Sequence, residues 1–148
     1  MGTRRSFIRN TSLASAGLFA VPSFATQIYS PADKLNIALI GVGLRGTNHL
    51  QNLLLRKDIN VTAICDTDPS RIVIAKDLIS EAGAKMPQVF GSNDYDYRNL
   101  LELKEVDAVV IATPWLWHTR MSVDAMKAGK YAGVEVSASN TLEECWDL

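Results

Sequence analysis

The stretch that most constrains this chain runs from Leu35 to Gly46, L-N-I-A-L-I-G-V-G-L-R-G. Leu35 to Ile40 is an apolar run of strand length. It leads into Gly41-x-Gly43-x-x-Gly46, and a helical pattern follows with Leu50, Leu53 and Leu54 at i, i+3 and i+4. Glycine patterns also punctuate ordinary turns. Strand, glycine turn and helix in this order, with Asp66 lying 20 residues past Gly46, predict a dinucleotide-binding unit. Gly41 is expected to allow the tight turn, Gly43 to let the backbone approach a pyrophosphate, and Gly46 to let the helix pack close to the strand. The helix start would offer N–H groups and a partial positive charge to the phosphates.

The rest of the chain repeats the alternation. Asn60 to Cys65 reads as a second strand, followed by Asp66 and a helix through Ile72, Ala75 and Ile79. Asp68-Pro69 opens that helix as N-cap and N1. Gln88 to Gly91 reads as a short third strand, Asp94 to Lys104 as a helix, and Val106 to Ala112 as a fourth, nearly all-apolar strand. A helix from Thr119 to Ala128 closes at Gly129, and Tyr131 to Val136 is the fifth strand. Thr141-Leu142-Glu143-Glu144 is a capping box opening a last helix. The expected fold is α/β, a doubly wound parallel sheet. No repeat or low-complexity segment interrupts it.

Asp66 is the candidate for the adenosine ribose. A carboxylate there accepts from the ribose hydroxyls and repels a 2′-phosphate, so it favours NAD over NADP; the other reading is a turn acid or helix cap. The loop Thr113-Pro114-Trp115-Leu116-Trp117-His118 follows the fourth strand, where ligands sit in such sheets. Its rings could wall a nicotinamide or a sugar, or pack beneath a neighbouring domain. His118 is a candidate proton carrier or merely a helix cap. Glu135, at the end of the fifth strand, either faces the same cleft or is solvated.

Three arginines, Arg4, Arg5 and Arg9, and no acid occupy residues 1–25. Arg4-Arg5, the mild apolar stretch Leu13 to Phe24 and Ser23-Phe24-Ala25 resemble a twin-arginine export signal with its cleavage site. The expected organisation is signal peptide 1–25, linker 26–34 and dinucleotide-binding domain 35–148, with the mature protein in the periplasm. The apolar stretch is too short for a stable membrane anchor. Beyond the signal the chain carries 12 basic against 16 acidic residues, which argues against nucleic acid as a partner. Cys65 and Cys145 make no disulfide framework, and no Cys-His cluster suggests a metal.

From Leu35 onward the motifs resemble the Gfo/Idh/MocA oxidoreductase family: the glycine turn, C-D-T-D-P-S-R, D-Y-R-N-L-L-E, A-T-P and A-G-K. The resemblance implies an N-terminal Rossmann NAD-binding domain and a C-terminal α/β domain, the latter absent from this chain, that holds a small sugar or glycoside. The 148-residue chain alone is then expected to be inactive, as a fragment or a free-standing binding module. The family's dehydrogenases usually carry Glu-Lys-Pro after the fifth strand, with the lysine as acid/base. Here the sequence is Glu135-Val136-Ser137, and valine carries no proton. With Arg45 and the W-x-W-H loop, this is similar to glycoside hydrolase family 109, exported NAD-dependent α-N-acetylgalactosaminidases. That resemblance implies oxidation of the sugar at C3, elimination of the aglycone, addition of water and reduction back. It also implies that Leu44 and Arg45 contact the pyrophosphate region. Asp66 would hold the adenosine ribose, and Trp115 to His118 with Glu135 and Val136 would line the nicotinamide side. The catalytic residues are expected beyond Leu148, and a homo-oligomer is possible.

Overall fold

The computed structural model describes residues 34–148. The expected signal peptide, and all but the last residue of the linker, lie outside the described residues.

Five strands form one parallel sheet: β1 Leu35–Ile40, β2 Ile59–Cys65, β3 Gln88–Phe90, β4 Ala108–Ile111 and β5 Tyr131–Val134, in the order β3-β2-β1-β4-β5. The helices are α1 Leu44–Leu54, α2 Pro69–Glu81, α3 Tyr97–Leu101, α4 His118–Lys127 and α5 Leu142–Asp147. A 3-10 turn, Trp115–Trp117, precedes α4.

The sheet is covered on both faces, because successive side chains of a strand point to opposite sides. Leu39, Val42 and Ile64 pack with Leu50 of α1 and Ile72, Ala75 and Ile79 of α2. Ala38, Ile40, Ala63, Val109 and Ile111 pack on the other face with Tyr97, Leu100, Met121 and Ala125. The doubly wound plan expected from the alternation is the plan observed.

Local chemistry sets the element ends. Asp68 accepts from Ser70 N at 2.8 Å with Pro69 at N1, so the carboxylate satisfies one of the open N–H groups of α2. Thr141 and Glu144 form the reciprocal capping box of α5. Lys130 Nζ donates to the carbonyls of Leu103 and Val106 at 2.6 and 2.8 Å, tying the start of β5 to the approach to β4.

Four elements are shorter than expected: β4 spans Ala108–Ile111 against the expected Val106 to Ala112, β3 stops at Phe90, and α3 and β5 are cut back for reasons the structure shows. The helix read over 94–104 is only Tyr97–Leu101. The preceding residues form a turn instead, because the Asp96 carboxylate accepts from Gly91 N and Ser92 N at 2.6 and 2.8 Å and from Asn99 Nδ2 at 2.7 Å. The fifth strand ends at Val134, not Val136. Glu135 N still donates to Ile111 O at 3.0 Å, and the chain then leaves the sheet.

Candidate functional site

The carboxyl ends of β1, β2 and β4 meet at a cleft of about 340 Å³. Gly41, Gly43, Asp66, Thr113, Pro114 and Trp117 line it, together with Arg71 from α2. A larger hollow of about 840 Å³ lies at the opposite ends of β1 and β2, lined by Lys34, Asn36, Arg56 and Lys57 among others. It has neither a glycine turn nor a helix N-terminus, so the smaller cleft is the candidate site.

The glycine turn is built for this place. Gly41 has φ +88°, the left-handed region that side chains disfavour, and its N–H donates to Cys65 O at 2.7 Å. A Cβ on Gly46 would overlap the Gly41 carbonyl oxygen, so the helix can sit this low over β1 only without one. A Cβ on Gly43 would meet nothing of the protein within 4 Å, because that position faces the open cleft. Gly43 is the N-cap of α1 and supplies no capping side chain, and no acid stands in the first turn. The helix start therefore presents N–H groups and its partial positive charge with no acid of its own first turn to neutralise them. This set of features fits a pyrophosphate.

Asp66 stands between the glycine turn and α2. Its Oδ2 accepts from Val42 N at 2.7 Å and its Oδ1 from Asp68 N at 2.9 Å. The turn-acid reading thus describes what the carboxylate does within the protein. Each carboxylate oxygen has room for a second donor, so both roles are chemically compatible.

The aromatic loop divides. Trp117 is half-buried and packs edge-on to Tyr95 and Tyr97, with centroids 5.5 and 6.4 Å away. It lines the cleft while resting on the core. Trp115 and Leu116 are exposed outside the cleft, as is Leu44 on α1. His118 differs from expectation. It is fully buried, with Nδ1 at 2.8 Å from Ser137 O and Nε2 at 2.8 Å from Thr113 O. Both ring edges are occupied by carbonyls, so it is neither a cleft-lining residue nor an available proton carrier in this structure. It ties the loop after β4 to the loop after β5.

The structure brings Arg45 and Glu135 together, 90 positions apart in sequence, at 2.7 Å between Nε and Oε1. His49 joins them, with Nε2 at 2.5 Å from the same oxygen. The Glu135 carboxyl is held below its ordinary range, first by the Arg45 hydrogen bond and then by that of His49. Sequence reasoning missed His49. Its signal was the spacing Arg45-x-x-x-His49, which sets two donors on one helix face. Val136 beside Glu135 is 81% exposed.

Residues 35–148 match the family described as "Oxidoreductase family, NAD-binding Rossmann fold", the Gfo/Idh/MocA family. The chain is 37% identical over 154 aligned positions to a glycosyl hydrolase family 109 protein of Solibacter usitatus, covering 99% of this chain and 35% of that one. It is 46% identical over 116 positions to glycosyl hydrolase family 109 protein 2 of Shewanella sp. (strain ANA-3), covering 78% and 25%. The chain thus spans about a third or less of the length of these relatives. Among solved structures, myo-inositol 2-dehydrogenase of Lactobacillus plantarum superposes with a TM-score of 0.66 at 24% identity, covering 78% of this chain and 32% of that one. The WlbA dehydrogenase of Chromobacterium violaceum, in complex with NADH and UDP-GlcNAcA, gives 0.67 at 23%, covering 80% and 32%. These two likenesses are likenesses of fold. With the family matched over the whole of β1 to α5, the chain belongs to the Gfo/Idh/MocA oxidoreductases, and its described part is their NAD-binding Rossmann fold.

Proposed function

We propose that this chain is the cofactor-holding part of an exported, NAD-dependent glycosidase of the α-N-acetylgalactosaminidase type. The observation that carries the choice of glycosidase over dehydrogenase is Val136. An exposed aliphatic side chain occupies the place, directly after Glu135, where a proton-carrying lysine would serve a dehydrogenase. The names of the two relatives above point the same way.

In this reading the start of α1 with Gly43 and Arg45 binds the pyrophosphate, and Asp66 accepts from the adenosine ribose and disfavours a 2′-phosphate. Thr113, Pro114 and Trp117 wall the cleft, and Trp115, Leu116 and Val136 form an apolar rim that limits water at the nicotinamide side. His118 holds two of these loops in register. Bound NAD would supply a reversible hydride acceptor, so that a sugar could be oxidised and restored within one turnover. Residues 1–25 would direct export by the twin-arginine route.

The test is cleavage of an aryl α-N-acetylgalactosaminide by the complete gene product, with NADH absorbance followed in the same cuvette. Aglycone release without net NADH is expected. Net NADH accumulation with a free sugar, and no aglycone release, would refute the glycosidase reading in favour of a sugar dehydrogenase of the same oxidoreductase family. Replacing Arg4 and Arg5 by lysine should keep the protein in the cytoplasm.

A further inference from the structure

The contact between α1 and the end of β5 is more specific than an ion pair. Arg45 Nε and His49 Nε2 both meet Glu135 Oε1, at 2.7 and 2.5 Å. Among the described residues, Oε2 of the same carboxylate accepts no hydrogen bond. The backbone beneath it is fixed, since Glu135 N extends the β4 ladder through Ile111 O at 3.0 Å. One oxygen is thus anchored by two successive turns of one helix, and the other is left to receive a donor.

The two anchors are unequal. The Arg45 side chain is 64% exposed and that of His49 32%, while that of Glu135 is 19% exposed. Water competes with the arginine more than with the histidine, and a solvated arginine pair fixes geometry weakly. Arg45, at the helix start, is also the residue with another task if a pyrophosphate arrives.

Strand order says what Oε2 would meet. From β2, which is followed by Asp66, to β5, which precedes Glu135, there are three strand spacings, about 14 Å in all at about 4.8 Å each. The glycine turn at the end of β1 lies between them. A dinucleotide whose pyrophosphate sits on that turn has one ribose toward Asp66 and the other toward Glu135.

We propose that His49 is a positioning residue. It holds Glu135 by Oε1 so that Oε2 is presented to a hydroxyl of the ribose on the nicotinamide half of the cofactor. This rests on the NAD-binding reading of the cleft. His49 itself touches no cofactor; it acts through Glu135.

The test compares two ligands of the full chain: NADH, which carries both riboses, and ADP, which carries only the adenosine half. Binding of each is measured by fluorescence titration, with ADP read by displacement of NADH. For His49→Leu the expected result is an NADH affinity lower by about tenfold, the effect of losing one well-placed hydrogen bond to a charged group, with ADP affinity unchanged. His49→Gln, which keeps a side-chain N–H donor, should recover most of the loss. If His49→Leu does not fold, His49→Asn, whose shorter donor cannot reach Oε1, should show the same NADH-selective loss. Equal losses for NADH and ADP, or no loss of NADH affinity, would overturn the positioning role and leave the cofactor reading standing. A wild-type chain that binds neither ligand would overturn both.

Discussion

Gly46→Ala against Gly43→Ala separates packing from binding within one turn. At Gly46 the new Cβ would overlap the Gly41 carbonyl oxygen and lie 2.8 Å from its carbon, with Ala112 Cβ at 3.6 Å behind it. The obstacle is backbone, and Gly41 is itself held by its bond to Cys65 O at 2.7 Å, so α1 must lift off β1. Overpacking of this kind costs about 1–3 kcal/mol, and contact with fixed backbone belongs near the upper end. Alanine returns about 1 kcal/mol through helix propensity, which leaves a net loss of about 2 kcal/mol. For a domain of this size that lowers Tm by about 8 °C. At Gly43 a Cβ meets nothing, and φ is −65°, which alanine readily adopts. A weaker N-cap, about 0.5 kcal/mol, is offset by the smaller entropy of the unfolded chain, so Tm should stay within about 2 °C. Gly43 lines the cleft, so a side chain there should lower NADH affinity at least about tenfold if the pyrophosphate lies over this turn, since a group inserted at a well-packed ligand contact costs over about 1 kcal/mol. Differential scanning fluorimetry and an NADH titration of both variants decide the matter. If Gly43→Ala binds NADH as tightly as wild type, the pyrophosphate does not lie over this turn.

Two further outcomes are expected. Asp66→Ser should raise the NADPH-to-NADH affinity ratio at least about tenfold, because the carboxylate that would repel a 2′-phosphate is gone; an unchanged ratio would show that another group sets cofactor choice. Asp96 is held down to about 2, first by the Ser92 and then by the Gly91 backbone N–H, and then by Asn99. Its folded value lies below its unfolded one, so its contribution is complete above about pH 4 and is lost as pH falls toward 2. Thermal unfolding of wild type and Asp96→Asn should therefore differ at pH 6 and converge on acidification. A gap that persists at low pH would assign the effect to packing rather than charge.

Much of this fold can be read from local chemistry. β1 runs from Leu35 to Ile40 as its apolar pattern indicates, and the Asp68-Pro69 and Thr141–Glu144 caps form where their side chains dictate. Such features depend on neighbours a few residues away. The misjudged histidines depend on distant ones, whereas the Asp96 turn is local: its carboxylate reaches back four and five positions to the N–H groups that follow β3, where a helical pattern masked it. His118 is consumed by two carbonyls, one of them 19 residues later. His49 acquires its meaning only from Glu135, 86 positions on. A lone histidine in sequence says nothing about which of its edges will be free.

The place of β1 between β2 and β4 has a consequence in time as well as in space. β2 can join it at a separation of only 24 positions, with Asn36 pairing Asn60, whereas Ala108 of β4 must return to Ile37 across 71. Closing the longer loop costs more chain entropy and is slower. During synthesis the flank of β1 that will receive β4 is therefore made well before its partner, and Ile37 to Ile40 must wait with one row of N–H and C=O groups open. Amide exchange pulsed during refolding should protect β2 before β4, and an aggregation-prone interval is expected between the two events.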